Sequence, residues 1–313
     1  MPKLWLITPV YLDTVAFGIL RQRIRDEVAE HGWLAELDVQ FVVVDDTAGL
    51  DPDIEDLDAH GDVTVIVPPF NLGHQRAIVY ALRALAGSMA DDDYVVTMDA
   101  DGEDAPEDVP RLLDELRQKG SHRGVVVALR TSRQETVTFK LFYAAFRVLF
   151  LVLTGATVRS GNFAAYHGWV ARGVLRHPSF DVCYSATLTS LDLPVTGIPC
   201  ARAARYAGKS RMSLVKLVRH GLSMLMPYLD RIAIRALILF SAIVTACLAL
   251  GTAVVAIKIG THHAIPGWAT TTLLGLAISS LVAVGNFVIL FAVYTQSRGM
   301  ALSRLEEEEH GRA

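Results

Sequence analysis

Cysteine is scarce in this chain of 313 residues, which has three. Cys183, Cys200 and Cys247 are odd in number, far apart and without metal-ligand spacing. That excludes a disulfide framework and a zinc cluster, and it reads as free thiols in a reducing compartment. An excess of charge of either sign is also lacking. The net charge is −4, too near neutral to indicate a nucleic-acid partner. The N-terminus, MPKLWLITPVY, has no long apolar core and no small-residue cleavage site. No signal peptide is therefore expected, and the first domain is expected in the cytosol. No internal repeat or low-complexity linker interrupts the chain.

What the chain has in plenty is apolar residues, 52% of the total, and most of the excess falls after Ile232. From Ala236 to Ile257 no charged residue occurs. That stretch is about 22 residues, or roughly 33 Å of helix, enough to cross a bilayer core. A second uncharged stretch runs from Trp268 to Tyr294, with an aromatic residue at each end as interfacial anchors would be. The link between them, KIGTHHAIPG, contains the breakers Pro266 and Gly267. Two such runs in tandem predict a transmembrane hairpin rather than a pair of buried core helices. Arg231 and Arg235 precede the first span, Arg298 and Arg304 follow the second, and the link carries only Lys258 and two histidines. The positive-inside rule then places both ends in the cytosol. Asn286 reads as a helix–helix hydrogen-bonding group, and Glu306–Glu309 as a solvated tail.

Two further segments have an interfacial pattern. Lys140–Leu153 is apolar but broken by Arg147, and Met212–Leu229 sets Lys216, Arg219 and His220 among leucines. Basic amphipathic helices of this kind lie in the headgroup plane. For the first segment, core packing is an equal alternative.

Residues 1–210 alternate apolar runs with helical patterns, which predicts an α/β domain with a mostly parallel sheet. Strands are expected at Lys3–Thr8, Val39–Val44, Val63–Val67, Tyr94–Met98 and Gly124–Leu129. Helices are expected at Thr14–His31, Gly73–Ala86 and Pro106–Lys119. The domain plan is 1–210 catalytic, 211–231 juxtamembrane helix, 232–297 two spans and 298–313 acidic tail. Ligands of open α/β sheets sit outside the carboxyl ends of the strands. Those ends carry Thr8-Pro9, Asp45-Asp46, Asn71, Asp99–Asp101 and Arg130. In TMDADGE (97–103), Asp99 and Asp101 leave an apolar strand two residues apart. Such a pair suits a divalent cation that neutralises a departing diphosphate, and Glu103 is a candidate third ligand. An acidic turn before a helix is the bland alternative. Asp45-Asp46 has one too, as a strand cap. His74, His167 and His220 are isolated and read as structural, and Asp181 is a weak candidate for acid–base work.

These motifs, in this order, resemble glycosyltransferase family 2. Within it they resemble the polyprenyl-phosphate sugar synthases of the dolichyl-phosphate mannose synthase and undecaprenyl-phosphate glucosyltransferase type. The resemblance rests on TPVY (8–11), VVVDD (42–46), NLGHQRA (71–77), DAD (99–101), RYAGKSRMSL (205–214) and the two closing spans. It implies a GT-A type domain. It also implies a metal-dependent, inverting transfer of a hexose from a UDP- or GDP-linked sugar to a polyprenyl phosphate at the cytosolic membrane face. Pro9, Tyr11, Asp13, Asp45, Asp46, Asn71 and Gly73 would bind the nucleotide-sugar with Asp99. Asp99, Asp101 and Glu103 would hold Mg²⁺ or Mn²⁺. Arg130, Arg133, Lys140, Arg205, Lys209 and Ser210 would meet the acceptor and phosphates, and Asp101, Asn162, Arg130 and Lys140 would serve catalysis. Relatives of this type often form tetramers, so a homo-oligomer is a further expectation.

Two positions depart from the family pattern. Relatives usually read P-V-Y-N-E where this chain has Leu12 and Asp13. In SGNFAAYH (160–167) the position of a proposed base is Asn162. An amide cannot accept the proton. A lipid phosphate with a second pKa near ~6–7 is largely ionised at neutral pH and needs no base. Asn162 would then orient the acceptor. Transfer to another membrane lipid or glycan, or a non-catalytic nucleotide-binding scaffold, are the alternatives. No Q-x-x-R-W stretch marks a processive polymer synthase.

Overall fold

The computed structural model describes residues 1–130, 137–157, 160–173, 177–206, 214–260 and 267–310. The side chains of 58, 137–141, 160, 214–216 and 296–310 lie outside that description. The chain divides into two compact units, Met1–Val148 with Thr157–Pro227, and Leu149–Ala156 with Tyr228–Ala313.

In chain order the first unit has β1 (Lys3–Val10), α1 (Thr14–Glu30), β2 (Asp38–Asp45), a single turn α2 (Glu55–Asp58), β3 (Val63–Ile66) and α3 (His74–Leu85). Then come β4 (Tyr94–Thr97), α4 (Asp108–Lys119), β5 (Val125–Arg130), α5 (Val137–Thr154) and β6 (Ser160–His167). The unit closes with α6 (Gly168–Gly173), α7 (Tyr184–Ser190), β7 (Val195–Cys200) and α8 (Leu214–Leu225). The seven strands form one sheet in the order β3-β2-β1-β4-β6-β5-β7. All pairs are parallel except the two made by β6. The expected α/β class with a mostly parallel sheet is what the chain forms.

Alternation along each strand sorts side chains to two faces. Leu4 and Leu6 join Phe41, Val43 and Val96 beneath Phe17, Leu20 and Ile24 of α1 and Leu112 and Leu116 of α4. Trp5 and Ile7 join Val42, Val44 and Val95 beneath Ile78 and Leu82 of α3 and Tyr184 of α7. Both faces are covered, which is why these strands read as near-continuous valine runs. α4 stops at Gly120, whose φ of +60° continues the chain in the left-handed conformation.

β6 and β7 were not among the expected strands. β6 runs antiparallel between β4 and β5, with Thr97 opposite Ala164 and Val127 opposite Ala164 on its other side. Entering against its neighbours, β6 brings its N-terminal residues to the carboxyl edge of the parallel strands. Asn162 arrives there for that reason.

In the second unit, α9 (Leu229–Gly260) and α10 (Trp268–His310) are long helices. Leu217–Gly260 and Trp268–Thr295 each contain an 18-residue window of mean hydropathy 2.4 that is only 6% buried. Both are long and apolar enough to cross a membrane. A soluble core helix would hide such a surface, and here Ile238, Leu248, Leu281 and Ile289 point outward. The two helices meet where Gly251 lies against Leu273 and Leu276. Asn286 is exposed on α10. Of the segments expected to be interfacial, α5 exposes Phe142, Val148 and Val152, and α8 exposes Val218 and Leu222.

At the end of the sheet remote from the Asp99 edge, Asp93 accepts from the Lys3 amide (2.8 Å), Trp5 Nε1 (2.9 Å) and the Ala90 amide (2.9 Å). The Gly168 amide donates to the Asp93 carbonyl (2.8 Å). A Cβ at Gly168 would stand 2.0 Å from the Ala90 carbonyl oxygen. Gly168→Ala is therefore expected to lower Tm by about 3–10 °C, measured by thermal melting in detergent. An unchanged Tm would contradict this turn geometry.

Candidate active site

The first two strand ends are organised by their own turns. Asp45 is fully buried. It accepts from the Thr47 amide (3.0 Å), the Thr47 hydroxyl (2.5 Å) and the Gly49 amide (2.8 Å). Both oxygens are thus engaged in capping the turn after β2. Asp46 Oδ1 accepts from the amides of Leu72 (2.8 Å) and Gly73 (3.0 Å), and Asn71 Nδ2 donates to the Asp46 carbonyl (2.5 Å). Burial pushes the Asp46 carboxyl above its usual range, against the pull of those two amides. Asp46, Asn71 and Gly73 therefore form one staple between β2 and α3. Gly73 at φ +74° turns the chain into α3 and sets His74 and Gln75 at the helix start. Pro9 is the penultimate residue of β1, with Tyr11 and Leu12 half-exposed beyond the strand. Leu12 has φ +53°, an uncommon conformation for a branched side chain. Asp13 stands at the N-cap position of α1.

The acidic centre lies past β4. The Asp99 amide donates to Asp104 Oδ2 (3.2 Å), and the Glu103 amide donates to Asp101 Oδ1 (2.9 Å). Arg130, from the end of β5, reaches Asp104 Oδ1 at 3.2 Å and Asp99 Oδ2 at 3.6 Å. Burial pushes Asp99 up to about 6 and Asp104 up to about 7. Neighbouring carboxylates add to the push and Arg130 opposes it. His74 Nε2 stands 3.1 Å from Asp99 Oδ1 and touches the Asn162 amide. Asn162 Nδ2 donates to Asp99 Oδ1 (3.2 Å). Beneath this centre a buried hydroxyl chain supports the strand ends. The Thr97 hydroxyl donates to the Asn162 carbonyl (2.6 Å) and lies 3.0 Å from the Tyr184 hydroxyl, which donates to Tyr166 (3.0 Å).

A strap formed by 201–206 crosses the DAD loop. The Ala203 amide donates to the Glu103 carbonyl (3.0 Å) and the Tyr206 amide to the Asp101 carbonyl (2.9 Å). Arg205 pairs with Asp101 Oδ2 (2.9 Å) and Glu103 Oε1 (2.9 Å), and Arg202 pairs with Glu103 Oε2. The Tyr206 ring covers Gly102, and Arg23 stacks over its other side at 5.6 Å.

A divalent cation fits part of this arrangement. Asp99 and Asp101 are hard oxygen donors in a desolvated, mutually repelling acidic centre. Such a cation is commonly held by one or two carboxylates with phosphate oxygens completing the shell. Glu103, the candidate third ligand, is paired with Arg202 and Arg205, as Asp101 is with Arg205. Among the described residues no group of three histidine, cysteine, aspartate or glutamate side chains is arranged to hold a metal.

Of the other expected site residues, Arg130 and Arg205 join the acidic centre. Arg133, Lys209 and Ser210 lie outside the described residues, as does the side chain of Lys140. Asp181 is paired with Arg83 (2.5 Å). Of the three histidines expected to be structural, His167 packs against the rings of Tyr94 (4.9 Å, tilted) and His122 (5.1 Å, edge-on) at the far end of the sheet. His74 does not: it belongs to the acidic centre. His220 of α8 lies within electrostatic range of His74. Sequence reasoning also missed Gln75, Asp104 and Arg202. Each is adjacent to a recognised motif, but its partners are distant in sequence.

A family model described as glycosyl transferase family 2 matches residues 6–171. The chain belongs to glycosyl transferase family 2. Its first unit is a GT-A type α/β domain. Among relatives, an undecaprenyl-phosphate 4-deoxy-4-formamido-L-arabinose transferase of Erwinia tasmaniensis is 27% identical over 231 residues, covering 69% of this chain and 65% of that protein. A protein of the same description from Yersinia enterocolitica is 25% identical over 226 residues, covering 69% and 64%. The chain thus spans somewhat less than two thirds of the length of these curated relatives. Among solved structures, glucosyl-3-phosphoglycerate synthase of Mycobacterium tuberculosis, solved with Mn²⁺, UDP-glucose and phosphoglyceric acid, has a TM-score of 0.46 and 17% identity over 74% of this chain and 80% of that one. A mycobacterial protein has a TM-score of 0.48 and 19% identity over 74% of each chain.

Gly102 has φ +84°, and a Cβ there would meet the Tyr206 ring at 2.6 Å. Gly102→Ala is expected to dislodge the strap and raise hydrogen exchange at the Ala203 and Tyr206 amides. Unchanged protection of those amides would contradict the clamp.

Proposed function

We propose that this chain is a metal-dependent, inverting glycosyltransferase. It moves a sugar from a UDP- or GDP-linked donor to a polyprenyl phosphate at the cytosolic face of a membrane. The observation that carries the reading is the convergence of Asp99, Asp101, Arg130, Arg205, His74 and Asn162 at the carboxyl edge of a GT-A sheet. Three features support the acceptor: the two apolar helices, the arginines flanking them, and relatives described as undecaprenyl-phosphate transferases.

Asp99 and Asp101 would hold Mg²⁺ or Mn²⁺, which when bound neutralises the leaving diphosphate. Arg205, with Arg202 beside it, is placed to exchange Asp101 and Glu103 for phosphate oxygens, since its planar fork suits either anion. Pro9, Tyr11 and Asp13 line the donor side of the edge. Arg130 holds Asp99 and Asp104 in register and turns positive charge toward the acceptor. With the acceptor phosphate already ionised (second pKa near ~6–7), its oxygen attacks the anomeric carbon opposite the departing group without a protein base. Asn162 then needs only to orient. Arg133, Lys140, Lys209 and Ser210 would add to acceptor binding. A homo-oligomer, and a bacterial inner-membrane location with both termini cytosolic, complete the proposal.

The test is a donor panel with undecaprenyl phosphate, including UDP-glucose, GDP-mannose and UDP-4-deoxy-4-formamido-L-arabinose, read by the mass of the lipid product. One donor should yield a glycosylated lipid phosphate, and Asp101→Ala should lower that rate by about 100-fold or more. Full activity in the variant would remove metal-assisted transfer at this site.

A further inference from the structure

The side chain of Gln75 bridges three elements. It projects from the first turn of α3, and its Oε1 accepts from the Ser185 amide in the first turn of α7 (2.9 Å), with Cys183 Sγ at 3.7 Å from the same oxygen. Its Nε2 donates to Asn162 Oδ1 at the start of β6. Asn162 Nδ2 in turn meets His74 and donates to Asp99 Oδ1 (3.2 Å). Asn162 is only 4% exposed, so water cannot substitute freely for these partners.

The direction of this chain follows from its two ends. A backbone N–H can only donate, so Gln75 must turn its oxygen toward Ser185 and its NH₂ toward Asn162. Asn162 must then turn its oxygen back to Gln75 and its NH₂ outward. A carboxylate at the other end only accepts, which is what Asp99 offers. Two amides are the side chains that fit between a fixed donor and a fixed acceptor. A carboxylate at 162 could accept from Gln75 but would set a second negative charge against Asp99 and offer it no hydrogen of its own.

We propose that Gln75 is a positioning residue that fixes the polarity of the Asn162 amide, so that Asn162 acts as a hydrogen-bond donor aligning Asp99 and not as a proton acceptor. The proposal rests on the transfer reading above and extends it to residues that the reading did not use. It accounts for the amide at 162 by its wiring: Asn162 is matched to Gln75.

Gln75→Glu tests it with almost no change of shape. The glutamate keeps the Ser185 bond but cannot donate to Asn162 Oδ1, so the Asn162 amide is forced to reverse and present its oxygen to Asp99. Expected is a loss of about 10- to 100-fold in kcat, with KM for the sugar nucleotide nearly unchanged. In an Asn162→Ala background, Gln75→Glu should cost little more in kcat, and its Tm penalty should also largely disappear. Asn162→Asp should slow turnover. The proposal is overturned if Gln75→Glu turns over like the wild type, if its kcat loss is the same in both backgrounds, or if Asn162→Asp is faster than the wild type. If the wild type glycosylates no acceptor, the transfer reading fails on its own. The Tm cycle then decides the wiring, and additive Tm penalties overturn it.

Discussion

Asp99 and Asp104 sit where water reaches them poorly, within a few ångströms of Asp101 and Glu103, and the carboxyl edge of the sheet is built around that accumulation of negative charge. Left alone, such a group would protonate, and the raised values of Asp99 and Asp104 record that tendency. Arg130 offsets it from one side, Arg202 and Arg205 from the other. The balance holds the DAD loop in place, and on the proposed reading a cation and a diphosphate would re-partition it: carboxylates to the metal, guanidinium groups to the phosphates. Exchange of ion partners inside a desolvated pocket changes little in the total charge and much in its arrangement, which is what departure of a charged leaving group requires.

The sheet topology makes this possible. Parallel strands β1, β2 and β4 end at the same edge, where β2 closes on Asp45 and β4 leads into Asp99. The antiparallel β6 starts at that edge and inserts Asn162 between the ends of β4 and β5. The Gly102–Tyr206 contact ties the strap to the DAD loop, so the arginines that balance the charge are carried on a segment leading directly into the basic run of 207–211. In the second unit, α9 and α10 present apolar surfaces long enough to cross a membrane.

Much of this was legible in the residues. β2 and β4 show as valine runs ending in acid, because strands covered on both faces have no polar alternation to obscure them. The hairpin shows as two uncharged runs. β6 and β7 do not show: GNFAAY and VTGIPC mix small, polar and apolar residues, and their strand character comes from neighbours far along the chain. The same distance explains the site partners that do not show in the sequence. Glu103 looks like a free ligand until Arg202 and Arg205, 99 and 102 residues away, are folded onto it. His74 looks isolated until β6 brings Asn162 beside it, 88 residues on. Asp45 is the opposite case: its partners Thr47 and Gly49 are local, and the strand-cap alternative was readable beside the motif.

On the proposed reading, Asp99 and Asp101 hold a divalent cation together with a nucleoside diphosphate. Manganese titration followed by electron paramagnetic resonance, with and without UDP or GDP, tests it most directly. The account predicts that the wild-type protein depletes the free Mn²⁺ signal when its nucleotide is present, and that Asp99→Asn with Asp101→Asn abolishes the depletion. A free-ion signal untouched by the wild-type protein in either nucleotide, or equal depletion by the double variant, would contradict it.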